Sequence, residues 1–170
     1  HVLDRMESWA ATLMLASAIG ADMGLEKGAG VEQVLIRRYR ADEKPISGLE
    51  TIGGQLGIFD QLPESDQRAM LNATLRDATT NREKFKAQFE AWHGGRIEEL
   101  VTEGNEGILA SPLLRERLLD GRNRAWVAQI TAMIARKNAP FIAVGAAHLP
   151  GKRGVVALLQ AQGYRLTRLQ

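Results

Sequence analysis

The stretch from Phe141 to Gly151 runs a short apolar segment, Phe141-Ile142-Ala143-Val144, into a glycine-framed loop that carries His148 and closes on Pro150-Gly151. A short apolar run bounded by turn formers reads as a buried strand, here Phe141–Ala146. A strand is a rigid mount, so a loop at its end holds an imidazole in place where a ligand can reach it. Val155–Gln162 then reads as a helix, and Gly163 introduces an alternating strand over Tyr164–Leu169. A third brief strand, Ile46–Glu50, follows Pro45 and ends at an acid.

Elsewhere the apolar residues recur at helical spacing. Leu3, Met6, Trp9, Leu13 and Leu15 mark a helix over residues 3–17 that has no preceding cap signal. Val31, Val34, Leu35 and Tyr39 mark a second, with Gly20, Gly24, Gly28 and Gly30 in the loop between them. Ile52, Leu56 and Phe59 mark a third, in which Gly53, Gly54 and Gly57 each cost roughly 1 kcal/mol against alanine and so imply close backbone packing or ligand approach. Pro63 opens a helix through Met70 and Leu75. Asn81 caps one that carries Phe85, Phe89 and Trp92 and stops at Gly94-Gly95, and a short amphipathic piece holds Ile97, Leu100 and Val101. Ser111-Pro112 starts a long helical region through Leu114, Leu118, Trp126, Ile130 and Ile134, with a break near Gly121 and a stop at Asn138-Ala139-Pro140. The expected class is a mixed, helix-rich α/β fold: a small β-sheet packed by several helices in one domain over residues 1–170.

Composition narrows the function. The 170 residues are 45% hydrophobic, enough for a sizeable core, and no tract is rich in Pro, Ser or charge. The formal net charge of +2 is spread along the chain, so nucleic acid is not implied. Without cysteine there is no disulfide, thiolate metal site or thiol nucleophile, which leaves histidine and carboxylates as metal ligands. No run approaches the roughly eighteen apolar residues that span a bilayer, and the first residues do not read as a signal peptide. His1 is not an initiator methionine, which suggests processing or truncation upstream.

Three positions carry the candidate chemistry. His148 sits in Gly145-Ala146-Ala147-His148, and although a lone histidine is more often a hydrogen-bonded structural residue, its place on a strand-end loop favours function. Glu50 stands where a short strand meets a helix, where the helix dipole alone would also favour an acid. Arg122 lies beside Asn123 among Arg115, Arg117 and Arg124, most of which are expected to be solvated or paired with acids. A carboxylate, an imidazole and a guanidinium together suit a metal site with an anion-stabilising cation. Two ligands are fewer than the three that catalytic sites usually draw from the protein. His93, before two glycines, reads as a helix C-terminal residue near the last carbonyls.

Lys44-Pro45-Ile46-Ser47-Gly48-Leu49-Glu50-Thr51, with Gln55, Phe59-Asp60, Leu62-Pro63 and Gln67 after it, resembles the first conserved segment of the bacterial TraB/GumN family, which is related to the animal TIKI proteases. Arg122-Asn123-Arg124-Ala125-Trp126, followed by Ile130, resembles its second block. Gly145 to His148, extending through Gly151, Leu158-Leu159 and Gln162-Gly163-Tyr164, resembles its C-terminal GxxH motif and closing strand. The resemblance covers residues 44–166 and implies a mixed α/β fold shared with erythromycin-esterase and ChaN-like proteins.

For the TIKI members it implies metal-dependent proteolysis, with manganese or cobalt as the usual ion and zinc as a further candidate. Carried over by position, Glu50, Arg122 and His148 match the family's glutamate, arginine and second GxxH histidine. No earlier GxxH precedes residue 44, so the chain is expected to be the C-terminal part of such a domain. A sheet lacking that strand would expose an edge and favour a homodimer. The resemblance implies a hydrolase of peptide or related acyl bonds at the periplasm or cell envelope, with His148 and Glu50 on the metal and Arg122 stabilising the anion. The competing expectation is a non-catalytic module that captures a small molecule, haem or a peptide in the same pocket.

Overall fold

The computed structural model describes residues 5–26, 28–78, 81–103, 107–136 and 139–169. The expected places of His1, Leu3 and Asn138, and of the Asn81 side chain as a cap, lie outside them. The chain divides into two compact units, residues 1–79 and 80–170, each with buried apolar side chains of its own.

In the first unit, α1 (Ser8–Asp22), α2 (Val31–Ala41), α3 (Ile52–Asp60) and α4 (Glu64–Ala78) follow the expected order. Helix α1 runs on through Gly20, and the turn comes at Gly24, whose φ of +87° suits glycine. Its first turn has no side-chain cap from Glu7, and the free backbone donors there need acceptors. Gln67 supplies one from 58 residues away: its Oε1 accepts from the Trp9 N–H at 3.2 Å. The same buried side chain donates through Nε2 to the Leu62 carbonyl at 3.0 Å. One amide thus ties the start of α1 to the turn before α4, over a core of Leu62, Met70 and Ala73. On α2, Leu35 and Tyr39 are half-buried while Val31 and Val34 are exposed. Gly53 faces open space, with no atom within 4 Å of the position a Cβ would take, so close packing is not the reason for that glycine.

Glu64, at the start of α4, accepts from Arg68 Nε at 2.8 Å and from Ser8 Oγ at 2.9 Å. Arg68 first, then Ser8, holds its carboxyl below the ordinary glutamate value. A depressed folded pKa contributes stability that is complete above the unfolded value and is lost as pH falls through the folded one. Glu64→Gln is therefore expected to flatten the fall in stability below about pH 4, measured by denaturant unfolding across an acid series. An unchanged slope would show that this carboxylate does not couple folding to protons.

The second unit holds α5 (Asn81–His93), α6 (Ile97–Glu103), a 3-10 turn at Gly107–Ala110, α7 (Pro112–Arg115), a π turn at Glu116–Asp120, α8 (Gly121–Ala135), a 3-10 turn at Ala146–His148, and α9 (Val155–Ala161). As the sequence implied, Gly95 ends α5 with φ +68°, and Ser111 caps α7 by accepting from the Leu114 N–H at 3.4 Å. The expected break near Gly121 is the π turn just before it, an added residue that rotates the rest of the helix by about 100°. Trp126, Val127 and Ile130 of α8 are buried, as are Val155 and Leu159 of the α9 packed against it.

The α/β expectation is corrected here. The described residues are helical, with no strand or sheet among them, so no small β-sheet packed by helices forms there. Residues 46–50, 141–145 and 164–169 carry no helix and no ladder, and Ala146, the expected end of the strand from Phe141, instead opens the 3-10 turn. Exposure does alternate along 141–145, with Phe141 and Ala143 exposed and Ile142 and Val144 half-buried. Alternation reports how one segment lies on a core, whereas a strand exists only where a second segment takes up its N–H and C=O groups. The edge-strand argument for a homodimer loses its premise with the sheet. Among the described residues no helix is long and apolar enough to cross a membrane.

Candidate functional site

The π turn and the first turn of α8 place two polar side chains along one side of the helix. Asp120 and Asn123 stand three residues apart, a spacing that puts both on one face, and both are buried, at 4% and 2% exposure. Each holds Arg153, in the loop before α9. Arg153 Nη1 donates to Asp120 Oδ2 at 2.8 Å, and Asn123 Nδ2 donates to the Arg153 backbone carbonyl at 2.9 Å. The loop itself is tight: Gly151 has φ +78°, and the Gly154 N–H donates to the Gly151 carbonyl at 3.0 Å. Two anchors from one helical turn therefore fix the segment after His148.

His148 ends the 3-10 turn, its own N–H donating to the Gly145 carbonyl at 2.9 Å. Gly145 has φ −57°, open to any residue, so the turn itself does not demand glycine there. The imidazole is buried, at 7% exposure, which is deeper than a solvent-facing loop implied. Its Nδ1 lies 2.7 Å from Asn123 Oδ1. Its ring packs on Trp126, with centroids 4.3 Å apart and planes tilted by 42°.

Arg122 lies over the same indole, its Cζ 4.9 Å from the Trp126 ring centroid, where the ring quadrupole attracts a cation. Its Nη1 donates to the Leu118 carbonyl at 3.0 Å. Arg124, two residues on, pairs with Glu116 instead. That contact holds the Glu116 carboxyl below its ordinary value and raises Arg124. The arginines of this helix thus divide into an exposed ion pair and one guanidinium at the histidine's aromatic wall. The Trp126 indole Nε1 is buried and has no hydrogen-bond acceptor among the described residues.

The structure brings Arg122 and His148 together against Trp126. Glu50 belongs to the first unit, where its Oε2 accepts from Gln55 Nε2 at 3.0 Å, just ahead of the α3 cap that Thr51 makes to the Gly54 N–H. His93 closes α5, exposed and stacked on Phe89 at 6.0 Å, in keeping with a helix-end role. Among the described residues no three His, Cys, Asp or Glu side chains gather as a metal-ligand cluster.

The sequence model of the TraB/PrgY/gumN family matches residues 1–168. The chain belongs to the TraB/PrgY/gumN family. No curated protein and no solved structure matches it. Family membership extends through α1 and α2, which none of the three resembling blocks included. In this TraB/PrgY/gumN chain, sequence reasoning treats Asn123 as a neighbour of Arg122 and Trp126 as part of an apolar stripe. The available signal was a polar Asn three residues before a Trp on a buried helical face, with Asp120 a further three before it.

Proposed function

We propose that this protein is a metal-dependent hydrolase of peptide or related acyl bonds, with His148 as a metal ligand and Arg122 as the group that stabilises the anionic intermediate. The observation that carries the reading is the contact between His148 Nδ1 and the Asn123 amide oxygen. Ligating histidines nearly always hold their other ring nitrogen on an oxygen acceptor in this way. His148 therefore fits a divalent ion such as manganese or cobalt. A bound divalent ion acidifies water and polarises a carbonyl.

The chain's own groups do the rest of the work. Trp126 shields the imidazole from bulk water on one ring face, which strengthens electrostatic contacts there. Arg122, held by the Leu118 carbonyl and the indole face, presents a permanent positive charge at the same indole that the histidine packs on, suited to an oxyanion.

Calorimetric titration of manganese and of cobalt into the 170-residue chain, beside His148→Ala, tests the reading. Binding by the parent that His148→Ala abolishes is the expected result. Equal binding by parent and His148→Ala would overturn it. A second reading, ligand capture without chemistry, draws on the buried Trp126 N–H, which an oxygen of a bound small molecule or peptide would satisfy. Metal binding without turnover of any peptide or ester in a broad substrate panel would favour that reading.

A further inference from the structure

We infer that Asn123 is the positioning residue of the His148 site: it sets the imidazole in the form that carries its proton on Nδ1, so that proton or ligand exchange takes place at Nε2. One atom in the chain of contacts has a fixed role. The Arg153 backbone carbonyl can only accept, and it lies 2.9 Å from one end of the Asn123 amide. That end must be the NH2 group, which makes the other end the amide oxygen. An amide oxygen likewise only accepts, so the ring nitrogen 2.7 Å from it must donate. Nδ1 is thereby committed as N–H, and in the neutral ring the lone pair is on Nε2.

Neutral histidine in water prefers the opposite form, with the proton on Nε2. Asn123 reverses that preference, and it does so from a buried site where neither amide end can turn to solvent without leaving a group unsatisfied. The frame extends one step further, because Arg153 is itself held through its guanidinium by the buried Asp120. Asp120, Arg153, Asn123 and His148 thus form one relay of orientation, one member from the π turn, one from the start of α8 and two from the segment they grip. Trp126 closes the relay by limiting rotation of the imidazole.

The assignment deepens the hydrolase reading, since it names which nitrogen of His148 would bind a metal, yet the tautomer stands on geometry alone. Two-bond proton–nitrogen correlation spectra of the uniformly nitrogen-15-labelled, metal-free chain test it directly, with His148→Ala identifying the signal among three histidines. The expected wild-type pattern is a pyrrole-type Nδ1 and a pyridine-type Nε2. Asn123→Leu, close in size but without an acceptor, is expected to move the ring to the Nε2–H form. Asn123→Asp keeps an acceptor and is expected to retain Nδ1–H.

A wild-type ring protonated on Nε2 alone, or an Asn123→Leu ring that keeps the wild-type pattern, overturns the inference. Manganese affinity supplies the functional readout: Asn123→Leu is expected to weaken it about 10- to 100-fold, and Asn123→Asp to restore most of the loss. The two failures are separable. A chain that binds no manganese but shows the Nδ1–H ring ends the hydrolase reading and leaves Asn123 as assigned. A chain that binds manganese through an Nε2–H ring does the reverse.

Discussion

Trp126→Ala is expected to lower the stability of the second unit by about 3–5 kcal/mol. Only 5% of the residue is exposed, and it stands in the α8 core with Val127 and Ile130. Truncation removes its packing and leaves a cavity beside His148, whose ring centroid is 4.3 Å away. It also removes the surface under the Arg122 guanidinium. Trp126→Phe is expected to cost less than half as much. It keeps an aromatic face for both neighbours and deletes an indole N–H that has no acceptor among the described residues. Urea unfolding of the parent and both variants checks this. Equal losses for Phe and Ala would mean that the indole N–H makes a contact the structure does not show.

The second large effect is expected at Gly154. Its φ of −72° suits any residue, so the constraint is steric rather than conformational. A Cβ there would meet the Leu149 and Pro150 carbonyl oxygens at 2.3 Å each, and neither is the end of a flexible side chain. Gly154→Ala must displace the loop, at a cost of about 3 kcal/mol. That loop carries the Arg153 carbonyl, so the variant should also disturb the Asn123 amide and the His148 ring it holds. Gly145→Ala is the contrast. There the nearest atom is His148 Cδ2 at 3.7 Å, an ordinary contact, and the expected change is within about 0.5 kcal/mol. Thermal unfolding of the two variants side by side separates a packed glycine from one the chain tolerates replacing.

The pairing of Gly145 and Gly154 illustrates how far residues alone can be read. Both stand near His148 in the sequence, and the motif draws attention to Gly145, yet the tight packing is at Gly154. Nothing in either residue's neighbours along the chain distinguishes them. The difference arises because the loop folds back so that two carbonyls crowd one Cα. Glu50 is legible as an acid before a helix, and the structure adds the Thr51 cap between it and α3. Arg122 stands out from its arginine-rich helix by resemblance. The structure separates it from Arg124 by a physical criterion, since one lies on an indole and the other on a carboxylate.

The sequence by itself determined the family, the order of the helices, the stop at Gly95 and the break near Gly121. Helical hydrogen bonds close within four residues, so a local pattern contains the information needed to place them. The tertiary structure decided that the apolar run at 141–145 lies unladdered among the described residues, because a sheet is a relation between segments distant in the chain. It also decided the state of His148. That depends on an amide 25 residues away, which is in turn oriented by a carbonyl 30 residues from it. The identities of Asn123, His148 and Arg153 can be read along the chain, but which end of each meets the next is set only when α8 and the loop before α9 pack together.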